Sequence, residues 1–122
     1  MSHTKVSLDA VEPRDVEGVD PALRAVGYEL QPSEMRPNVW EFDAGDATNR
    51  HRQGEQEELY VVLDGRLRMD VEGEAFEVTA GDHVVVPPES WRRLVAEEES
   101  RVLVVGAPNV PDDGILEDDA DT

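Results

Sequence analysis

The chain has 122 residues, with 29 Asp and Glu against 11 Lys and Arg, and no cysteine. This length fits one domain with a real hydrophobic core, and the lack of cysteine excludes disulfides, thiolate metal sites and a cysteine nucleophile. The formal charge of −18 opposes binding to nucleic acid or to an anionic membrane surface.

The acidic residues are spread along the whole chain, and Lys5 is the only lysine among the cations. At molar salt the Debye length shrinks to about 3 Å, so a charge excess of this size is tolerated there. The composition is similar to that of proteins from halophilic archaea. An acidic surface made for a basic partner is the competing interpretation, and the even spread of the acids argues against it.

The longest apolar runs, residues 59–63 and 102–105, are too short to cross a bilayer. The first residues also lack a basic segment followed by an apolar one. We therefore expect a soluble protein that stays in the cytoplasm.

Residues 1–36 are predicted to form an irregular arm. Apolar side chains alternate over residues 6–10, which is typical of a short strand. Asp20 and Pro21 are suited to the N-cap and the first position of a short helical turn, which would end at Gly27.

From residue 37 onward the pattern changes to short apolar runs separated by turn residues. These runs predict seven strands, at residues 38–42, 59–63, 66–71, 75–78, 83–86, 91–95 and 101–105. The dipeptide Asp64-Gly65 favours a type I′ turn and predicts a hairpin over residues 59–71.

Many short strands at even spacing predict an all-β sandwich or small antiparallel barrel over residues 37–107. The final stretch, residues 108–122, is acidic and holds few apolar side chains. We expect it to be a flexible tail.

Several residues in the middle of the chain stand at a distinctive spacing. Gly45 is followed after five residues by His51, and Gln53 comes two positions later. Four residues then separate Gln53 from Glu58, and six separate Glu58 from Gly65. This pattern resembles the first motif of the cupin family, in which a second His stands at the position of Gln53.

The second cupin motif is matched in its first half. Gly81 and Pro87 have the family spacing, whereas Glu89, Arg92 and Ala96 stand where the family has Gly, His and Asn. The resemblance implies a small antiparallel jelly-roll β-barrel in the centre of the chain. It also implies a homodimer, for which the predicted strand at residues 6–10 is a candidate for exchange between two copies.

Residues 51 and 53 project from the same face of a strand, about 7 Å apart, so their side chains can converge on one point. The resemblance implies that these two positions, with Glu58 and position 92, form the family's site of three His and one Glu for Mn, Fe, Ni, Cu or Zn. In this chain His51 and Glu58 are good ligands. Gln53 offers a weaker carbonyl oxygen, and Arg92 cannot ligate a metal.

Two arrangements of this site stay open. In one, a cation would be repelled by the Arg92 guanidinium, and Glu58 would form with it a buried ion pair that can be bidentate and that replaces the metal. In the other, His51, Gln53 and Glu58 hold a divalent metal, and Arg92 turns toward solvent or toward an anionic ligand. The cofactor is accordingly either absent or a divalent metal.

Strand alternation extends the predicted pocket. If Glu58 faces the interior, Tyr60 does too, and Trp40 is the better placed of the two tryptophans to line a cavity. Arg52 and Arg93 are expected to face solvent. The predicted ligand-binding pocket comprises His51, Gln53, Glu58, Tyr60, Arg92 and Trp40.

A pocket with a buried Arg and a neutral amide favours a small anionic or polyhydroxylated ligand. We therefore predict a small-molecule-binding cupin with a degenerate metal site. The alternative is a metal-dependent cupin enzyme of the dioxygenase, isomerase or decarboxylase type, so whether the chain is an enzyme stays open. A structural dimer module with a filled interior is a third interpretation.

Overall fold

The structure of the chain, a computed structural model, describes residues 2–117. In this part of the chain there are eleven strands, a 3-10 turn at Leu8–Ala10 and one short helix, α1 (Val26–Leu30). The strands are β1 (Pro13–Asp15), β2 (Ala22–Arg24), β3 (Arg36–Phe42), β4 (His51–Gln53), β5 (Glu57–Asp64), β6 (Arg66–Val71), β7 (Glu74–Thr79), β8 (His83–Val86), β9 (Arg92–Ala96), β10 (Ser100–Ala107) and β11 (Gly114–Leu116). No helix within residues 2–117 is long and apolar enough to cross a membrane.

The strands form two antiparallel sheets. The six-stranded sheet has the order β1-β2-β3-β10-β5-β8, and the five-stranded sheet has the order β11-β4-β9-β6-β7. All seven strands predicted after residue 37 are present, each within two residues of the expected ends. The predicted all-β jelly-roll architecture is therefore confirmed.

The core lies between the inner faces of the two sheets, because side chains on each strand alternate between inside and outside. In β5 the even-numbered residues Glu58, Tyr60 and Val62 are buried. Leu67 of β6 and Val102 of β10 are fully buried in the same cluster. This alternation aligns the even-numbered side chains of β5 with the interior that holds the candidate site.

The hairpin predicted over residues 59–71 is wrong. β5 pairs with β10 and β8 in one sheet, whereas β6 pairs with β7 and β9 in the other. The chain crosses between the sheets at Gly65, whose φ is +93°. A two-residue hairpin follows one strand later, at Glu72 and Gly73, which both have positive φ. The Asp-Gly pair thus marks a corner of the barrel, because a glycine with positive φ serves a sheet-to-sheet crossing as well as a hairpin.

The N-terminal arm also departs from the prediction. Residues 6–10 form no strand, so this segment offers none for exchange between copies. The residues expected in a helical turn, Ala22–Arg24, form β2 against β3, and the helix begins only at Val26. The open edge of β3 supplies backbone partners here, which outweighs the local helix signal.

Part of the predicted flexible tail is a strand. β11 (Gly114–Leu116) pairs with β4, next to the residues of the first motif. The Asp113 carboxylate accepts hydrogen bonds from the backbone N–H groups of Glu55 and Gln56, at 2.8 and 2.7 Å. This segment therefore closes the sheet beside the site. Residues 118–122 of the predicted tail lie outside the described residues.

Candidate functional site

A cavity of about 260 Å³ lies between the two sheets. Three strands contribute alternate residues to its walls, because positions two apart share a face. These residues are Arg36, Asn38, Trp40 and Phe42 from β3, His51 and Gln53 from β4, and Glu58 and Tyr60 from β5.

Glu58 lies at the centre of a polar group in this cavity. Its Oε1 accepts a hydrogen bond from the Tyr60 hydroxyl at 2.7 Å. The same oxygen lies 3.4 Å from Nη2 of Arg92 and 3.9 Å from Nε2 of His51, the latter beyond direct hydrogen-bond distance. A hydroxyl, a guanidinium and an imidazole thus lie within 4 Å of the same carboxylate oxygen.

Arg92 is 1% exposed and is not among the residues that line the cavity. Its Nη1 donates hydrogen bonds to the backbone carbonyls of Pro88 and Ser90, at 3.1 and 2.7 Å. Its Nε and Nη2 have no hydrogen-bond partner in the described part of the chain. The pair with Glu58 is therefore a single contact rather than the bidentate arrangement considered from the sequence.

Burial alone would raise the pKa of the Glu58 carboxyl, but the His51 ring, the Tyr60 hydroxyl and the Arg92 charge outweigh it, so this pKa lies below its usual value. Burial, followed by the negative charge of Glu58, raises the pKa of the Tyr60 hydroxyl well above its usual range. At neutral pH the cavity therefore presents an ionised carboxylate beside a neutral phenol.

We expect the stability advantage of the wild type over the Glu58→Gln variant to shrink in acid. Because the folded pKa of Glu58 is depressed, its ionised form contributes stability above the unfolded pKa of about 4.3. That contribution is lost as the pH falls through the folded pKa. Chemical denaturation at several pH values from about 7 to about 3 measures this difference. The exposed Glu57→Gln variant is the control, and a pH-independent difference for Glu58→Gln would contradict the prediction.

His51 is held in one orientation. Its Nδ1 lies 2.9 Å from the backbone carbonyl oxygen of Asn49, so Nδ1 carries the proton and donates it to that carbonyl. Nε2 then faces Glu58 and lies 3.9 Å from its Oε1. Gln53 is buried, and its side chain lines the cavity. Both groups are available to a ligand.

The side chains at this point do not fit a tightly bound divalent metal. Within residues 2–117 no group of three or more His, Cys, Asp or Glu side chains is arranged to hold an ion. His51 and Glu58 are two strong ligands, but the Arg92 guanidinium stands 3.4 Å from the carboxylate oxygen that would bind the cation. This fixed positive charge opposes a second one at the same place.

Sequence reasoning missed several residues of the cavity. Arg36 and Asn38 share a face of β3 with Trp40, and Gln56 shares the parity of Glu58, so alternation could have identified all three. Val19 and Leu116 also line the cavity. They come from the arm and from β11, and no motif marks them.

Several other cationic or imidazole side chains lie outside the lining of the cavity. Arg50 and Arg52 are half-buried, and their guanidinium carbons lie 5.4 and 5.3 Å from the centre of the Trp91 ring, so Arg52 is less open to solvent than expected. Arg93 is exposed, as expected. His83 is exposed, and its Nδ1 donates to the carbonyl oxygen of Gly81 at 2.8 Å.

Comparison with known proteins places this geometry in a family. Residues 38–106, more than half of the chain, match the cupin domain. Over 50 residues the chain is 39% identical to the uncharacterized protein MJ1618 of Methanocaldococcus jannaschii, covering 41% of this chain and 40% of that protein. The chain spans less than half the length of the curated relatives it matches.

Two solved structures share the fold. A sugar phosphate isomerase of the cupin superfamily from Silicibacter pomeroyi has a TM-score of 0.77 at 22% identity, over 88% of this chain and 77% of that one. KdgF from Halomonas sp. has a TM-score of 0.78 at 22% identity, over 91% and 98% of the two chains. The matched segment contains the residues of both cupin motifs and every strand from β4 to β9. The chain therefore belongs to the cupin family.

Proposed function

We propose that the cavity binds a small polyhydroxylated molecule that carries an anionic group, and that this binding does not require a metal. One observation carries the proposal: an ionised carboxylate and several uncharged amides face one small cavity. The groups are Glu58, Asn38, Asn49, Gln53 and Gln56. Carboxylates accept hydrogen bonds only, whereas amides both donate and accept, and this combination suits hydroxyl groups.

The apolar part of the lining favours a ring-shaped ligand. Trp40 and Phe42 lie on one wall and Leu94 on another, and they can pack against the C–H faces of a sugar ring. The cavity volume of about 260 Å³ is below the roughly 300–1,000 Å³ usual for drug-sized ligands, so the ligand is small. The sugar phosphate isomerase among the structural neighbours supports a sugar-type ligand.

We assign to Arg36 the contact with an anionic group of the ligand, which the sequence suggested for Arg92. Arg36 lines the cavity, whereas Arg92 is not among the lining residues and contacts Glu58 instead. A carboxylate or phosphate on the ligand would therefore meet the Arg36 guanidinium, which has free donors beyond its hydrogen bond to the Val110 carbonyl.

Titration calorimetry with glucose, glucuronate and glucose 6-phosphate tests the proposal. We expect the two anionic sugars to bind and glucose to bind more weakly. Glu58→Gln and Asn38→Ala should each weaken binding about tenfold, because each removes hydrogen bonds to the ligand. Asn38→Ala leaves the buried ion pair intact, and the exposed Glu57→Gln serves as the matched control.

Two results would overturn the proposal. One is the absence of binding by all three sugars, or equal binding by the wild type and both cavity variants. The other is near-stoichiometric Mn, Fe, Ni, Cu or Zn in protein purified without chelator, together with loss of sugar binding when the metal is removed. The second result would favour the metal-dependent cupin enzyme.

A further inference from the structure

A groove of about 420 Å³ lies against the cavity on the side of the N-terminal arm. Arg14 of β1, Tyr28 of α1 and Met35 of the following loop are among the residues that line it. Arg36 and Asn38 line the groove and the cavity alike. The two spaces therefore adjoin across these two side chains of β3.

The charge of the groove is opposite to that of the chain as a whole. No Asp or Glu is among its lining residues, although the chain contains 29 of them. Two guanidinium groups, those of Arg14 and Arg36, face it. The absence of carboxylates from the lining lowers the electrostatic repulsion that an anion would meet in the groove.

Both of these arginines lack an acidic partner in the described part of the chain. Arg24, Arg92 and Arg101, by contrast, each lie within 4.0 Å of a glutamate oxygen. Arg36 is half-buried, and its one side-chain hydrogen bond, to the Val110 carbonyl, is 3.3 Å long. A partly desolvated guanidinium with free donors is stabilised when an anionic ligand supplies the missing acceptors.

Tyr28 adds a surface on which a ligand can pack. The guanidinium carbon of Arg14 lies 5.8 Å from the centre of the Tyr28 ring, in the range of a cation–π contact. The Tyr28 side chain is 69% exposed, which is unusual for a large aromatic. Arg14 is exposed as well, so its guanidinium and the Tyr28 ring are both accessible to a ligand at the groove.

We propose that the groove is a second subsite, which binds the carboxylate or phosphate at one end of a two-ring sugar while the other ring occupies the cavity. The anionic group lies between Arg14 and Arg36, and Tyr28 packs against the sugar beside it. This assignment rests on the proposed function of the cavity. It makes the chain selective for an elongated anionic sugar over a single ring.

Calorimetry with cellobiose, cellobionate and cellobiose 6′-phosphate, at one fixed salt concentration, tests the subsite. We expect at least one of the two anionic disaccharides to bind about tenfold more tightly than cellobiose. Arg14→Gln should reduce this difference to less than threefold. Arg68→Gln, at an exposed arginine of the opposite sheet, should change none of the three affinities. The tighter of the two anionic ligands identifies the group as carboxylate or phosphate.

Failure of the subsite can be told apart from failure of the cavity. If glucuronate binds and Glu58→Gln weakens it, but Arg14→Gln leaves all three disaccharides unchanged, the subsite is overturned and the cavity proposal stands. The subsite is also overturned if Arg14→Gln and Arg68→Gln weaken the anionic ligands equally, because a general charge effect then explains the loss. If no sugar of either length binds, both proposals are overturned.

Discussion

Replacement of Arg92 by Met should lower the free energy of unfolding by about 3–5 kcal/mol, because it leaves a buried carboxylate without its cation. Arg92 is 1% exposed and lies 3.4 Å from Oε1 of Glu58, so water cannot easily replace it. Met keeps most of the side-chain volume, so the loss reports the missing charge and the two lost hydrogen bonds to the Pro88 and Ser90 carbonyls rather than a cavity. Urea denaturation at neutral pH, in dilute buffer and in molar KCl, measures the change.

The neighbouring residue supplies the matched control. Arg93 is exposed on the other face of β9, and Arg93→Met should change the free energy of unfolding by less than about 0.5 kcal/mol. Adding Glu58→Gln to the Arg92→Met protein should restore part of the lost stability, since the unpaired charge is then removed. If the loss in the double variant equalled the sum of the losses in the Arg92→Met and Glu58→Gln single variants, Glu58 and Arg92 would not be coupled.

Replacement of Gly65 by Ala should cost about 2–5 kcal/mol, because it combines backbone strain with a steric clash. The residue has a φ of +93°, and a Cβ there would lie 2.1 Å from Oγ of Ser100 and 2.5 Å from the carbonyl oxygen of Glu99. Ser100 is 2% exposed, and its Oγ accepts a hydrogen bond from the Arg66 backbone N–H at 3.1 Å. The crossing between the sheets would have to shift.

Gly73 separates the two causes of this loss. Its φ is +84°, but nothing lies within 4 Å of a Cβ built there. Gly73→Ala should therefore cost only the backbone term of about 1–2 kcal/mol, measured in the same urea titrations. If the two variants lost equal stability, the contact with Ser100 would not matter and the predicted clash would be wrong.

Gly65 also shows how far local patterns predict this fold. Short apolar runs separated by turn residues predicted the strands, and alternation along them predicted which side chains face the interior. Asp64-Gly65 was read as a hairpin because positive φ is a local property. Which strand pairs with which is not local: β5 pairs with β10, about forty residues later, across the whole barrel.

The arm and the end of the chain show the same limit. Ala22–Arg24 carries a helix-like start signal and yet pairs with β3. β11 lies in a stretch that composition alone marks as a tail, and yet it pairs with β4. In both cases an open strand edge elsewhere in the molecule supplies the backbone hydrogen bonds, and no pattern within three residues can reveal that edge.

By itself, the sequence determined the family, the interior face of each central strand, and a site that contains His51, Gln53 and Glu58. Alternation along a strand decides which side chains face the interior, because alternate residues share a face, whereas the family and the site follow from the resemblance of the motifs. Only the tertiary structure decided that Arg92 is buried against Glu58 and is not among the cavity-lining residues, and that Arg36 is. These depend on how strands distant in sequence come together, since depth in a barrel and the neighbours of a charge are set by packing between strands.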